Sequence, residues 1–118
     1  MTIKETQLLA KQICSENGLT KTETDLICAV INGESSFRVD AVNKNKNGTS
    51  DYGLCQFNTG KNKKGVPYWI GKGADFKDIN EVLTNPRKNI EIMIREYKRG
   101  NLKWWVAFSS GRYKKCYI

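Results

Sequence analysis

The sequence predicts an α+β architecture, mostly helical, with a small antiparallel β-wing and a cleft between wing and helices. Three observations carry this. Two N-terminal segments place apolar residues three and four apart behind helix-start signals. An Asn47-Gly48 pair then falls where that periodicity has vanished. Further helical patterns resume after Asn85-Pro86. The 118 residues fit a single domain spanning 1–118. A chain of this length buries roughly two-thirds of its unfolded surface, enough for one core. Mean hydropathy is −0.58. Three Trp, five Tyr and four Phe can nonetheless anchor a core, which excludes disorder as the overall state.

Taken in order, residues 3–17 read as a first helix, with Leu8, Leu9 and Ile13 on one side and Gly18 as the stop. Thr20 stands three before Glu23, a capping box that opens a second helix carrying Leu26, Ile27, Val30 and Ile31. Around Asn47-Gly48, strands are expected at about 40–45 and 49–55. Residues 59–80 carry four glycines and one proline and read as loop, with a short helix around Trp69. Asn85-Pro86 supplies an N-cap and first-turn proline for a helix bearing Ile90, Met93, Ile94 and Tyr97, closed by Gly100. Leu102 to Phe108 reads as a buried last helix.

Composition removes several chemistries. With no histidine, a Ser-His-Asp or Cys-His system and every His-ligated zinc site are excluded. The four cysteines form no C-x-x-C pair, so no metal site is expected, and Cys28 and Cys55, inside apolar stretches, read as buried thiols. No apolar run approaches the ~18–20 residues of a membrane span. The polar start, Met1 to Glu5, has no apolar core of a secretory signal. The net charge of +8 suits an anionic partner, yet the lysines are scattered and the aromatic residues form no base-stacking spacing, so nucleic acid is not expected.

General acid–base work therefore falls to carboxylates, and Glu34 is the most informative. It lies four residues after Val30 and seven after Ile27, which makes it the continuation of the apolar stripe. A buried carboxylate at a helix C-terminus has its charged form disfavoured, as a general acid requires. The alternative is a helix that stops at Asn32-Gly33, leaving Glu34 in solvent. Asp51 lies 17 residues on, beyond the turn, where a folded-back hairpin could bring it to face Glu34. An acid paired with an ionised carboxylate is what glycosidic cleavage needs. A plain strand-edge role for Asp51 stays open, and Asp40 is a rival too near Glu34 along the chain to reach easily across a cleft.

The run Glu34-Ser35-Ser36-Phe37, the Asn43/Asn45 loop, Asn47 to Gly53 and Leu54-Cys55-Gln56-Phe57-Asn58 resembles the active-site stretch of the c-type lysozymes, without a gap over 25 residues. The Glu-Ser-x-Phe and Gly-Leu-x-Gln elements, and Asn85-Pro86 with Asn89-Ile90, also resemble the soluble lytic transglycosylases of the same lysozyme-like superfamily. Trp105-Val106-Ala107-Phe108 is similar to a Trp-Val-Ala-Trp of the c-type family.

The resemblance implies a lysozyme-like fold, with Glu34 as general acid and Asp51 as nucleophile or ion stabiliser. It implies that Asn45 hydrogen-bonds Asp51, that Gln56 and Asn58 line the sugar cleft, and that backbone near Asn58 and Ala107 grips an N-acetyl group. Trp105 would pack on Glu34 and keep it dry, while plain core packing is the alternative for one of Trp104 and Trp105. That family is the type case for such a carboxylate pair, so the raised acid pKa is the family's property, not a consequence of spacing here. Departures are plain: Thr59-Gly60-Lys61-Asn62 stands where sugar-stacking tryptophans follow in the family, with Tyr68 or Trp69 as possible replacements. Most of the family's cysteine framework is missing, leaving Cys14–Cys116 as a pairing to entertain.

The implied activity is cleavage of the β-1,4 bond between N-acetylmuramic acid and N-acetylglucosamine in peptidoglycan by retaining hydrolysis, without cofactor or metal. Peptidoglycan glycan strands are the expected partner, and the expected protein is a monomer working outside the cytoplasm, at a wall, in a periplasm or on a phage. A lytic transglycosylase giving 1,6-anhydro products is the alternative. A catalytically inactive carbohydrate-binding relative is a further one, against which the presence of both Glu34 and Asp51 speaks.

Overall fold

The computed structural model describes residues 1–60, 63–64 and 76–118. Helix α1 (Ile3–Glu16) starts at a Thr2 capping box, and α2 (Lys21–Ser35) at the Thr20–Glu23 box read from sequence. Each box satisfies orphan N–H groups at the helix start from both sides. Strands β1 (Val42–Lys44), β2 (Ser50–Tyr52) and β3 (Phe57–Asn58) follow. Then come α3 (Ile79–Thr84), α4 (Pro86–Lys98), a 3-10 turn at Leu102–Trp104, α5 (Val106–Ser109) and a 3-10 turn at Arg112–Lys115. The α+β, mostly helical expectation holds. No helix among the described residues is long and apolar enough to cross a membrane.

Helix α2 is central: Ile27 to Ile31 are buried on every side. It packs with Ala10, Ile13 and Cys14 of α1 and Ile90, Met93 and Ile94 of α4 in one core that also takes Phe37, Phe57 and Trp105. Tyr97 donates its hydroxyl to Glu23 at 2.7 Å, and Arg87 pairs with Glu16 at 2.9 Å, so α4 is tied to both N-terminal helices. At the end of α4, Glu96 is buried, with Arg95, Arg99 and Asn101 donating to its carboxylate. Burial pushes its pKa up, but the Asn101 and Arg95 hydrogen bonds and the two guanidinium charges outweigh that and hold it below the usual carboxylate value.

Several sequence expectations change. The strands are shorter than 40–45 and 49–55, and β3, unforeseen, completes an antiparallel sheet of order β1-β2-β3. Two-residue strands leave too little alternation to read. Helix α3 also went unread at the edge of the glycine-containing segment, and the short helix around Trp69 falls outside the described residues. The last helix is split: Trp105 is extended (φ −94°, ψ 126°) between a 3-10 turn and α5. That break buries Trp105 and Ala107 while Trp104 and Val106 stay 39% and 60% exposed. All four cysteines are free, so the Cys14–Cys116 pairing does not form. Cys28 and Cys55 are buried thiols as expected; burial raises Cys28 to about 11 and Cys14 to about 12. Thiols held that far from ionisation pack as small apolar groups and are poor nucleophiles.

Candidate active site

The helix carrying Glu34 does not stop at Asn32-Gly33 but runs to Ser35, and the Glu34 side chain is only 7% exposed. Immediately after it the backbone turns sharply: Ser36 (φ 55°) and Phe37 (φ 60°) are both left-handed, an arrangement costly for residues with a Cβ. Buried Phe37 holds this turn in place from below. Gly33 sits one residue before the carboxylate for a steric reason. A Cβ there would lie 2.9 Å from the Ala107 Cβ, so only glycine lets α5 approach the end of α2 this closely. Ala107 itself is fully buried at that contact and does not line the cleft.

Sheet register places the second carboxylate. Asp51 of β2 stands opposite Asn43 of β1 and Asn58 of β3. Directly opposite residues share a face of the sheet. Asn58 donates to Asp51 Oδ1 at 2.8 Å, and Asn45 donates to Oδ2 at 3.2 Å, as the resemblance implied for Asn45. Both carboxylate oxygens thus accept from amides. Gln56 is in the left-handed region (φ 54°) and its amide is already spent: it donates to Gly53 and Ala41 carbonyls and accepts from Asn43 at 2.7 Å. Gln56 therefore braces the wing floor more than it offers itself to a ligand.

A cleft of about 560 Å³ brings these groups together, lined by Glu34, Asn45, Asp51, Gln56, Asn58, Trp104, Trp105 and Arg112 among others. Six of the seven residues singled out from sequence line it; Ala107 is the exception. Trp105 is 2% exposed, donates its indole N–H to the Cys55 carbonyl at 2.8 Å and meets Phe57 edge-on at 6.2 Å. It is both core and cleft wall. The Cys55 thiol is held far above its ordinary value by burial first and by the nearby Glu34 charge second. The buried Cys55 thiol therefore lies close enough to Glu34 to feel its charge.

Sequence reasoning missed two contributors. Asn89, fully buried, donates to the Val82 and Asn85 carbonyls and accepts from the Cys55 N–H, tying α3 and α4 to the turn after β2. Its only signal was the Asn85-Pro86 and Asn89-Ile90 pattern, to which the sequence attached no role for Asn89. Arg112 donates through Nε to the Gly33 carbonyl at 3.2 Å and sets Nη2 3.8 Å from Glu34 Oε2. Nothing in a basic C-terminal tail distinguished it from Lys114 and Lys115. Among the described residues no group of three His, Cys, Asp or Glu side chains is placed to hold a metal ion.

Comparison with known proteins shows the family. The model of the family "Phage tail lysozyme" matches residues 5–107, ending short of Arg112. The chain is also 33% identical over 111 residues to "Lysozyme c-1" of Anopheles gambiae, covering 86% of this chain and 71% of that protein. With most of its length matched, a helical body with a three-stranded wing, and Glu34 and Asp51 on one cleft, the chain belongs to the phage tail lysozyme family of the lysozyme-like superfamily and is a lysozyme-type lytic enzyme.

Proposed function

We propose that this enzyme hydrolyses the β-1,4 bond between N-acetylmuramic acid and N-acetylglucosamine in peptidoglycan with retention, outside the cytoplasm. Glu34 protonates the leaving oxygen, and Asp51 attacks or stabilises the anomeric carbon. Glu34 then takes a proton from the incoming water, its acid form restored for the next cycle. One observation carries the choice: Asp51 is held through both oxygens by Asn45 and Asn58 on the cleft that also contains Glu34. A transglycosylase, in which the sugar's own hydroxyl attacks, has no use for a second carboxylate fixed in this way. Asn45, Asn58 and the walls formed by Trp104 and Trp105 position the glycan, whereas Ala107 acts by letting α2 and α5 meet.

The test is clearance of purified cell walls by folded Glu34→Gln and Asp51→Asn variants. Each keeps the side-chain shape and is expected to lose at least ~100-fold in rate, the usual worth of a positioned proton donor or nucleophile. Near-normal lysis by a folded Glu34→Gln protein would contradict the acid assignment. Loss at Glu34 with little effect at Asp51 would favour transglycosylation.

A further inference from the structure

We infer that Arg112 is a positioning residue of this site: its guanidinium is the counter-ion for the carboxylate that Glu34 becomes on giving up its proton. This rests on the glycosidase reading of the Glu34 cleft. The Glu34 side chain is 7% exposed and sits in the last turn of α2, which carries no basic residue. Desolvation and the negative end of a helix both disfavour an ionised carboxylate there. They keep the acid protonated in the resting enzyme, yet they also oppose its ionisation as the proton leaves. Arg112 offsets that opposition. Its Nη2 lies 3.8 Å from Glu34 Oε2, within ion-pair reach but longer than a hydrogen bond. Coulomb attraction at that distance stabilises the charge as it develops.

The surroundings of Glu34 leave this role to one group. From the wing, Asp51 lines the same cleft and, as an anion, opposes a second negative charge. Helix α5 brings no titratable side chain. The turn after β2 brings the Cys55 thiol, which burial keeps neutral. The last 3-10 turn brings Arg112, and after it the Cys116 thiol, whose Sγ would stand 3.5 Å from a Cβ at Gly33. Tyr113 of that turn stacks on Phe108 instead. Lys103, Lys114 and Lys115 on the two 3-10 turns are exposed and do not line the cleft. Arg112 is thus the single cation lining the cleft among the described residues. It is also held in place. Nε donates to the Gly33 carbonyl at 3.2 Å, and Asn32 of α2 donates to the Cys116 carbonyl at 2.9 Å. The guanidinium is thereby fixed to the helix that carries the acid, and its charge needs no reorganisation as the proton moves.

The experiment reads the Glu34 carboxyl directly, by carbon NMR titration of its Cδ in the full chain. Beside it runs the pH dependence of kcat/KM on a soluble glycan alternating N-acetylglucosamine with N-acetylmuramic acid. Arg112→Gln is expected to raise the Glu34 pKa by about one unit. That is the low end of what a neighbouring opposite charge does, because the guanidinium is half-exposed. The alkaline limb of the profile, where the acid loses its proton, should move up by the same amount. The plateau should fall about threefold or more, since a weaker acid transfers its proton more slowly. Arg112→Lys keeps the charge and should hold both pKa and limb within about 0.3 unit of wild type, even where its rate falls with the lost Gly33 hydrogen bond. An unmoved Glu34 pKa in Arg112→Gln, with or without loss of rate, would make Arg112 a brace for α2 and overturn the proposal while leaving Glu34 as the acid. Equal rises in the Gln and Lys variants would trace the shift to the lost hydrogen bond and also overturn it. A raised Glu34 pKa with an unmoved alkaline limb would show that the limb reports another group. That outcome overturns the acid assignment of Glu34, and the counter-ion role with it.

Discussion

Asp51 and Asn58 face each other directly across β2 and β3, and the Asn58 amide donates to the Asp51 carboxylate at 2.8 Å. The pairing is a consequence of register: slipping β3 by one residue would turn Asn58 to the other face of the wing. Asn58 also accepts from the Gly60 N–H at 2.6 Å, so its amide cannot flip without losing a partner. Asn58→Ala should therefore lower wall-lytic turnover by about 10-fold or more, through loss of one hydrogen bond to a charged group. Turnover within twofold of wild type would show that Asn45 alone suffices.

A second prediction concerns Trp105. Trp105→Phe keeps most of the apolar volume but leaves the buried Cys55 carbonyl without its indole donor. The expected cost is about 1–3 kcal/mol by chemical denaturation, and Trp105→Ala should cost more, about 3–5 kcal/mol. A Phe variant as stable as wild type would mean that the hydrogen bond contributes nothing net.

Glu96 makes stability depend on pH. Its folded-state pKa lies below the ordinary value of 4.5, so its stabilising effect is complete above that pH and is lost as pH falls through the folded-state pKa. Glu96→Gln should lose about 1.5–3 kcal/mol at pH 7. The gap between variant and wild type should narrow as pH falls below 4.5 and through the folded-state pKa. An equal gap at pH 7 and pH 3 would remove Glu96 as the source.

The close approach at Gly33 can be tested by compensation. Gly33→Ala places a methyl 2.9 Å from the Ala107 Cβ and should destabilise by about 1–3 kcal/mol through overpacking, despite alanine's better helix propensity. Adding Ala107→Gly makes room, and the double variant should recover at least ~0.5 kcal/mol beyond additivity. Strict additivity would show that the two positions do not press on each other.

Much of this was readable from the chain because the signals are local. Both capping boxes, the Asn85-Pro86 start and the apolar stripe leading to Glu34 lie within a few residues of what they specify. The wing was placed by Asn47-Gly48, yet its third strand has only two residues and pairs across a left-handed Gln56 that no periodicity signals. Leu102 to Phe108 reads as one buried helix; the extended backbone at Trp105 instead goes with its indole reaching the Cys55 carbonyl 50 residues away. Arg112 is harder still. Its role comes from docking the chain's end on α2, 79 residues from Gly33 in sequence, and an arginine in a basic tail carries no mark of that contact.

The most direct test of the paired carboxylates is mass spectrometry of the products released from purified peptidoglycan. Retaining hydrolysis through Asp51 adds one water per bond broken, so the fragments should end in reducing N-acetylmuramic acid. Fragments lighter by that water, ending in 1,6-anhydro-N-acetylmuramic acid, would contradict a catalytic Asp51 and leave Glu34 as the single acid and base.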